Sequence, residues 1–268
     1  MAQSVERFSS RVKDYASYRP GYPAAIIELL TSQCGLSSNS VVADIGSGTG
    51  KLSEIFLQNG NVVFGIEPNA EMRAAAERIL DGYSTFRSIE GSAESTTMAP
   101  ASIDFVTAGQ AFHWFEPDKA RVESIRILKP QGWAALIWNE RLIDTTAFLR
   151  DYERLLLDYG TDYQEVRHEN SGESIAKFFA PVDYELETFA NSQEFDYEGL
   201  KGRVRSSSYT PEPQDPRFEP MLQRLQEIFA KHERFGRVSF DYVTKLYYGQ
   251  LGNYPDPRVT LYLRDARD

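Results

Sequence analysis

The segment Asp44-Ile45-Gly46-Ser47-Gly48-Thr49-Gly50 joins an acid to three glycines spaced G-x-G-x-G, directly after the apolar run Val41-Val42-Ala43. Glycines in such a turn reach backbone angles closed to other residues and let a ligand lie against the main chain. The carboxylate of Asp44 would then face a cation or a hydrogen-bond donor. A phosphate-binding loop of the G-x-x-x-x-G-K-[ST] type is a poor match. Gly50-Lys51 fits its end, but Ile45 stands where the first glycine belongs and Leu52 where the metal-binding hydroxyl belongs. A dinucleotide turn, G-x-G-x-x-G, needs a small third residue for close helix–strand packing, and Lys51 occupies that position. An ordinary glycine-rich connection is the bland alternative. The coincidence of three glycines and an acid at a strand end counts against it.

With the phosphate ligands set aside, this segment resembles motif I of class I S-adenosylmethionine (SAM)-dependent methyltransferases. The resemblance implies that Asp44 receives the cofactor's ammonium group, through water, while Gly46, Ser47, Gly48 and Gly50 contact its methionine portion. Glu67 ends the second apolar run about 20 residues after the turn, where an acid accepts hydrogen bonds from ribose hydroxyls. Pro68 and Met72 follow in the pattern of a family helix whose first turn packs on adenine, although a methionine there serves equally well as core. Gly91-Ser92-Ala93-Glu94 is similar to the family's G-D-A-E segment at the adenine edge, with Ser92 in place of the acid. Gln110-Ala111-Phe112-His113-Trp114-Phe115 resembles the Q-A-x-H-W-F signature of the type-11-like subgroup, which includes relatives of trans-aconitate methyltransferase. Gln110 is assigned to the cofactor on that basis. Trp138-Asn139, the pattern formed by Arg11, Tyr15, Arg19, Pro20, Tyr22 and Pro23, and Ser206-Ser207-Ser208-Tyr209 also resemble that subgroup.

Methyl transfer from a sulfonium is dominated by alignment, and a base is needed only where the acceptor starts protonated. His113 is the candidate base or acceptor ligand; a structural histidine packed beside Trp114 is the competing reading. Tyr15, Tyr18, Arg19, Trp114 and Trp138 are the candidate acceptor-site residues, the first three on an N-terminal lid. Arg19 with Arg203 or Arg205 could pair with an anionic acceptor, but Arg203 and Arg205 read more simply as solvated surface charges. No metal site is expected.

The elements that must position these residues follow from periodicity. Apolar runs at 41–45, 61–66, 85–89, 103–108 and 133–138 alternate with helical patterns at 52–57, 70–80 and 119–128, which predicts a parallel sheet covered on both faces. Pro23 is placed to open an earlier helix. Residues 145–159, 197–207 and 218–232 read as helices, 184–189 as a sixth strand, and the alternating segment 238–248 as an antiparallel edge strand. The stretch 160–180 is polar and yields no element. The expected architecture is α/β, a Rossmann-like, doubly wound, mostly parallel seven-stranded sheet with an antiparallel edge strand and a helical cap. Its expected divisions are an N-terminal lid at 1–35, a cofactor-binding core at 36–141, a cap with the final strands at 142–250, and a tail at 251–268.

A net charge of −10 argues against broad nucleic-acid binding, which needs a basic face to displace counterions. One cysteine, Cys34, permits no internal disulfide and suits a reducing compartment. Neither a signal peptide nor a membrane-length apolar run is visible, so a cytoplasmic protein without a membrane partner is expected. The function expected is methyl transfer to a small-molecule acceptor, a carboxylate or a hydroxyl, by a monomer or homodimer. A non-catalytic SAM-binding regulatory module and a methyltransferase of protein substrates are the alternatives.

Overall fold

The computed structural model describes residues 18–161, 163, 171–207 and 209–252. Its centre is a seven-stranded sheet of order β3-β2-β1-β4-β5-β7-β6. The strands are β1 (Val41–Ile45), β2 (Val62–Ile66), β3 (Phe86–Ile89), β4 (Ile103–Gly109), β5 (Leu128–Arg141), β6 (Glu185–Phe195) and β7 (Val238–Gly249). Strands β1 to β5 pair in parallel. β7 is antiparallel to both β5 and β6, and β6 closes the sheet outside it. The winding runs from β1 outward to β3, then returns to β4 on the other side of β1. Its reversal between β1 and β4 opens a crevice at their carboxyl ends, where ligands of such sheets bind.

Strand alternation sends Val42, Val63, Phe105 and Ala135 to one face, where they bury against Ile26 and Leu30 of α1 (Ala25–Cys34) and Leu52 and Phe56 of α2 (Lys51–Gln58). Ala43, Ile45, Val106 and Leu136 take the other face. There they meet Ala120 and Ile127 of α4 (Pro117–Ile127) and Phe178 and Phe179 of α6 (Ser171–Phe179). Helix α3 (Ala70–Ile79) is capped by Asn69, whose Oδ1 accepts from the N–H groups of Glu71 and Met72. Helix α6 lies in the stretch that yielded no element from sequence. Its polar surroundings hide Ile175, Phe178 and Phe179, which are 0–2% exposed.

A second cluster forms the cap. Leu149, Tyr152 and Leu156 of α5 (Ala147–Tyr159), Leu200 and Val204 of α7 (Tyr197–Arg205), and Leu225 and Ile228 of α8 (Phe218–His232) bury around Phe240 and Tyr242 of β7. The cap has strand to stand on because β5 outruns β4. Pairing of β4 with β5 ends at Gly109↔Ile137, whereas β5 and β7 remain paired to Arg141↔Tyr242. This ledge carries Asn139, Arg141 and Tyr242 past the strand ends to the crevice. Among the described residues no helix is long and apolar enough to cross a membrane.

Candidate functional site

The glycine loop is built by β1 ending directly under it. The N–H groups of Gly46 and Ser47 both donate to the carbonyl of Ile66, at 2.8 and 3.2 Å, which fastens the loop to the end of β2. Gly46, Gly48 and Gly50 adopt φ of +67°, +56° and +84°. A Cβ on Gly48 would meet nothing within 4 Å, so this part of the loop faces open space. A Cβ on Gly50 would fall 2.5 Å from Cδ1 of Leu80, so that glycine serves packing as well as turning.

Asp44 is fully buried, and burial pushes its carboxyl up to about 7, against hydrogen bonds that favour the charged form. Oγ of Ser53 donates to it at 2.6 Å and Oγ1 of Thr107 lies at 3.5 Å. Glu67 is also pushed up by burial, against the hydrogen bonds that its carboxylate accepts from the N–H of Asn69 at 2.9 Å and from that of Gly48 at 3.0 Å, and against the charge of Arg73. Pro68 follows it, and its carbonyl accepts from Arg73 at 2.9 Å. Met72 is 5% exposed in the first turn of α3. Ser92 and Ser95 form a small bridge after β3, Oγ of Ser92 accepts from the N–H of Glu94 at 3.3 Å, and Ala93 is buried. The carboxylate of Glu94 accepts from the N–H of Glu116 at 3.0 Å, ahead of α4.

Between this loop and the cap lies a cavity of about 420 Å³. At its inner end are Asp44, Gly46, Ser47, Gly48 and Thr49; along one wall are Gln110, Trp138 and Asn139; at the outer end are Arg19, Arg141, Tyr163, Arg203, Tyr209 and Tyr242. Glu67, Pro68, Met72, Ser92, Ala93 and Glu94 are not in this lining. They sit at the ends of β2 and β3, on the other side of the glycine loop, so the acids and adenine-side residues named from sequence flank the loop rather than share one chamber.

Gln110 holds an αL conformation, φ +56°, at the end of β4. Its side chain bonds the main chain of Asn139 in both senses: Oε1 accepts from the N–H at 2.6 Å and Nε2 donates to the carbonyl at 3.4 Å. Strained non-glycine backbone of this kind persists where surrounding structure imposes it. Asn139 donates in turn to the carbonyl of Gly21 at 3.1 Å and accepts from Thr244 at 2.5 Å, tying the segment before α1 to the sheet.

His113 sits on a short 3₁₀ turn, Phe112–Trp114, with Trp114 at 4.5 Å and Trp138 at 5.4 Å between ring centroids. Burial lowers it to about 4, so it is neutral at pH 7. It lies behind Trp138 rather than in the cavity lining, and Trp114 is 44% exposed on its outer side. Tyr18 packs toward Phe195 at 6.5 Å and over Gly202, where a Cβ would overlap its ring. Arg19 donates to the carbonyl of Ser206 at 3.0 Å. Tyr15 lies outside the described residues.

The outer end was largely missed from sequence. Arg203, read as a solvated charge, is 4% exposed. Helix α7 buries it because Leu200 and Val204 turn that face inward. Arg205, two residues on, is exposed as expected. Arg203 donates to Oγ of Ser207 at 3.0 Å, and its guanidinium stands 5.9 Å from the ring centre of Phe240. Arg141 is held by Glu153 at 2.5 Å and by the hydroxyl of Tyr163 at 2.8 Å. Burial alone would raise the phenol of Tyr209, but Arg203, Arg19 and Arg141 draw it below its ordinary value. No periodicity marks Arg141 or Tyr242, because their role arises from strand overhang.

The arrangement fits SAM on its own chemistry. The hydroxyl of Thr49, buried in the glycine loop, has no hydrogen-bond partner among the described residues. Buried polar groups are rarely left so. It stands with the carboxylate of Asp44 and an open glycine backbone, a set suited to the polar, cationic end of an amino-acid-like ligand. Glu67 offers an acceptor for hydroxyls on the other side of the loop.

Residues 43–136 match a family model described as a methyltransferase domain. A methyltransferase-like protein of Schizosaccharomyces pombe, described as uncharacterized, is 29% identical over 165 residues, covering 60% of this chain and 63% of that protein. An uncharacterized methyltransferase of Mycobacterium tuberculosis is 34% identical over 138 residues, covering 50% of this chain and 52% of that protein. The chain thus spans between half and two thirds of the length of these relatives. Among solved structures, a candidate type II methyltransferase from Anaeromyxobacter dehalogenans superposes with a TM-score of 0.62 at 18% identity, covering 88% of this chain and 99% of that one. A candidate methyltransferase of an antibiotic biosynthesis pathway from Anabaena variabilis gives 0.60 at 19%, covering 87% and 98%. The fold is the Rossmann-like fold of these neighbours.

Proposed function

We propose that this protein is a SAM-dependent methyltransferase of the class I type acting on a small-molecule acceptor, with a carboxylate or hydroxyl oxygen as the methylated group. The observation that carries this reading is the single cavity that joins the Asp44–glycine-loop end to a polar, aromatic outer end beneath the cap. A domain that only held the cofactor would have no use for the second half.

The chain's own residues divide the work as follows. Asp44 and the backbone of Gly46 to Gly48, with the hydroxyl of Thr49, hold the amino-acid end of the cofactor; Glu67 takes the ribose hydroxyls. The Gln110–Asn139 pair fixes the ends of β4 and β5, so the wall between donor and acceptor is rigid. Such fixation is what an in-line transfer requires. When bound, the cofactor supplies a methyl group on a sulfonium sulfur, which keeps the S–C electron pair as the acceptor oxygen forms the new bond. A carboxylate acceptor releases no proton. For a hydroxyl, neutral His113 lies outside the cavity lining, so the hydroxyl proton would leave to water.

Isothermal titration with S-adenosylhomocysteine, followed by transfer of labelled methyl from SAM to a small-molecule extract, tests this. Micromolar binding with labelled low-mass product is the expected result. No binding at millimolar ligand overturns the reading. Binding with label only on protein supports a protein substrate, and binding with no label transferred supports a regulatory module.

A further inference from the structure

Arg203 is a buried guanidinium at the outer end of the cavity, 4% exposed, in a chain of net charge −10. Burying a charge is strongly unfavourable unless it is paired. Ser207, at 3.0 Å, and Tyr242 are its polar neighbours, and Nε has no hydrogen-bond partner among the described residues. Arg141 stands in the same wall with Nη1 likewise without a partner, although its other amino group is engaged by Glu153 and Tyr163. Arg19 adds a third guanidinium to the lining. Glu153 is the carboxylate that pairs within this group, and it pairs with Arg141. Of the other acids in the lining, Glu140 is bound to Lys245, Asp144 is exposed at the rim, and Asp44 lies at the opposite end. Among the described residues, the guanidinium groups of Arg203 and Arg141 share one carboxylate, that of Glu153, which leaves this part of the outer end with an excess of positive charge facing an open cavity. The guanidinium fork matches a carboxylate in two parallel hydrogen bonds.

We propose that Arg203, with Arg141 beside it, forms an anion-recognition subsite for the methyl acceptor, which makes the acceptor an acidic small molecule bearing a carboxylate. The inference rests on the cavity being the acceptor site of the methyltransferase reading above. The phenol of Tyr209 is the other group able to offset the charge, by ionising. Its lowered pKa reports the same cationic surroundings, and a bound carboxylate would return it toward its ordinary range.

The test uses the full chain and simple probes: succinate and benzoate, with succinamide and benzamide as uncharged counterparts. Binding is followed by tryptophan fluorescence and thermal shift, with and without saturating S-adenosylhomocysteine. The acids are expected to bind and to raise Tm, the amides to bind at least tenfold more weakly. Arg203→Met should lose acid binding at least tenfold while S-adenosylhomocysteine binds within about twofold of wild type. Should Arg203→Met fail to fold, Arg203→Lys keeps the charge without the fork and is expected to weaken the acids severalfold. The proposal is overturned if neither acid binds wild type, if amides bind equally, or if Arg203→Met and Arg203→Lys leave acid affinity unchanged. A loss confined to S-adenosylhomocysteine also overturns it, by assigning Arg203 to the cofactor. Ultraviolet titration showing Tyr209 already ionised at pH 7, with Tyr209→Phe removing the signal, overturns it as well. Arg203-dependent acid binding in a chain that fails to bind S-adenosylhomocysteine would instead sink the methyltransferase reading and leave the subsite standing.

Discussion

The main-chain N–H of Gly48 donates to Oε2 of Glu67 at 3.0 Å, joining the middle of the glycine loop to the acid at the end of β2. Its other oxygen accepts from the N–H of Asn69, so the carboxylate spans the gap between loop and helix α3. Glu67→Ala removes this tether and, on the proposed function, the acceptor for ribose hydroxyls. Hydrogen bonds to a charged group contribute about 1.5–3 kcal/mol. S-adenosylhomocysteine affinity is therefore expected to fall roughly tenfold to a hundredfold in titration calorimetry. A change under threefold would remove Glu67 from the cofactor site.

The titration of Asp44 has a second consequence. Folding raises its carboxyl to about 7, so the ionised form, which we propose receives the ammonium group, grows roughly tenfold between pH 6 and pH 8. Affinity for S-adenosylhomocysteine should rise over that interval in wild type. In Asp44→Asn it should be weaker and nearly flat. Equal slopes in the two proteins would show that Asp44 does not meet the ammonium.

Stability without ligand should show two opposing contributions. A raised acid such as Asp44 favours folding when protonated, so its contribution is present below about pH 4 and declines as pH rises toward 7. His113, lowered to about 4, acts in the other direction: its contribution is full above about pH 6.5 and is lost as pH falls toward 4. Asp44→Asn should therefore steepen the rise of Tm from pH 4 to pH 6.5, and His113→Gln should flatten or reverse it. Thermal melts across this range decide the matter.

Gly48 and Gly50 separate binding from packing. Both are left-handed, but a Cβ on Gly48 meets open space whereas one on Gly50 meets Leu80. Gly48→Ala is expected to lower stability by about 1 kcal/mol, from backbone strain alone, and to weaken the cofactor. Gly50→Ala adds overpacking of about 1–3 kcal/mol to that strain. Chemical denaturation of the two variants should rank them in that order.

The loop after β3 is secured from behind by Glu123 of α4. Its Oε1 accepts from the N–H of Thr96 at 2.8 Å and from Oγ1 of Thr96 at 2.5 Å, and Arg126 binds both oxygens. Glu123→Ala leaves these donors and a half-buried guanidinium without their acceptor, and a loss of about 3 kcal/mol is expected. Cofactor affinity should fall with it, because Ser92 and Ala93 lie on the loop that Thr96 anchors.

The amino-acid sequence by itself determined the parallel core of the sheet and the glycine loop at its carboxyl edge. Strands with buried faces must be apolar and end at a turn, so Val41–Ile45 with its glycine loop and the placing of Glu67 at the end of β2 were legible from residue type and spacing, whereas Gln110 was named only from the motif that it resembles. The five core strands and the helices flanking β1 to β5 follow from the same local periodicity. Helix α6 was not legible, since its short apolar face is embedded in a polar stretch. The outer half of the site was decided only in three dimensions. Arg141 reaches the cavity because β5 overruns β4, Tyr242 because β7 pairs with that overhang, and Arg203 because α7 turns it under the cap. Each of these depends on contacts between residues far apart in sequence, Arg141 and Tyr242 being paired across β5 and β7, and a charged side chain carries no local mark that distinguishes burial beside a ligand from exposure to water.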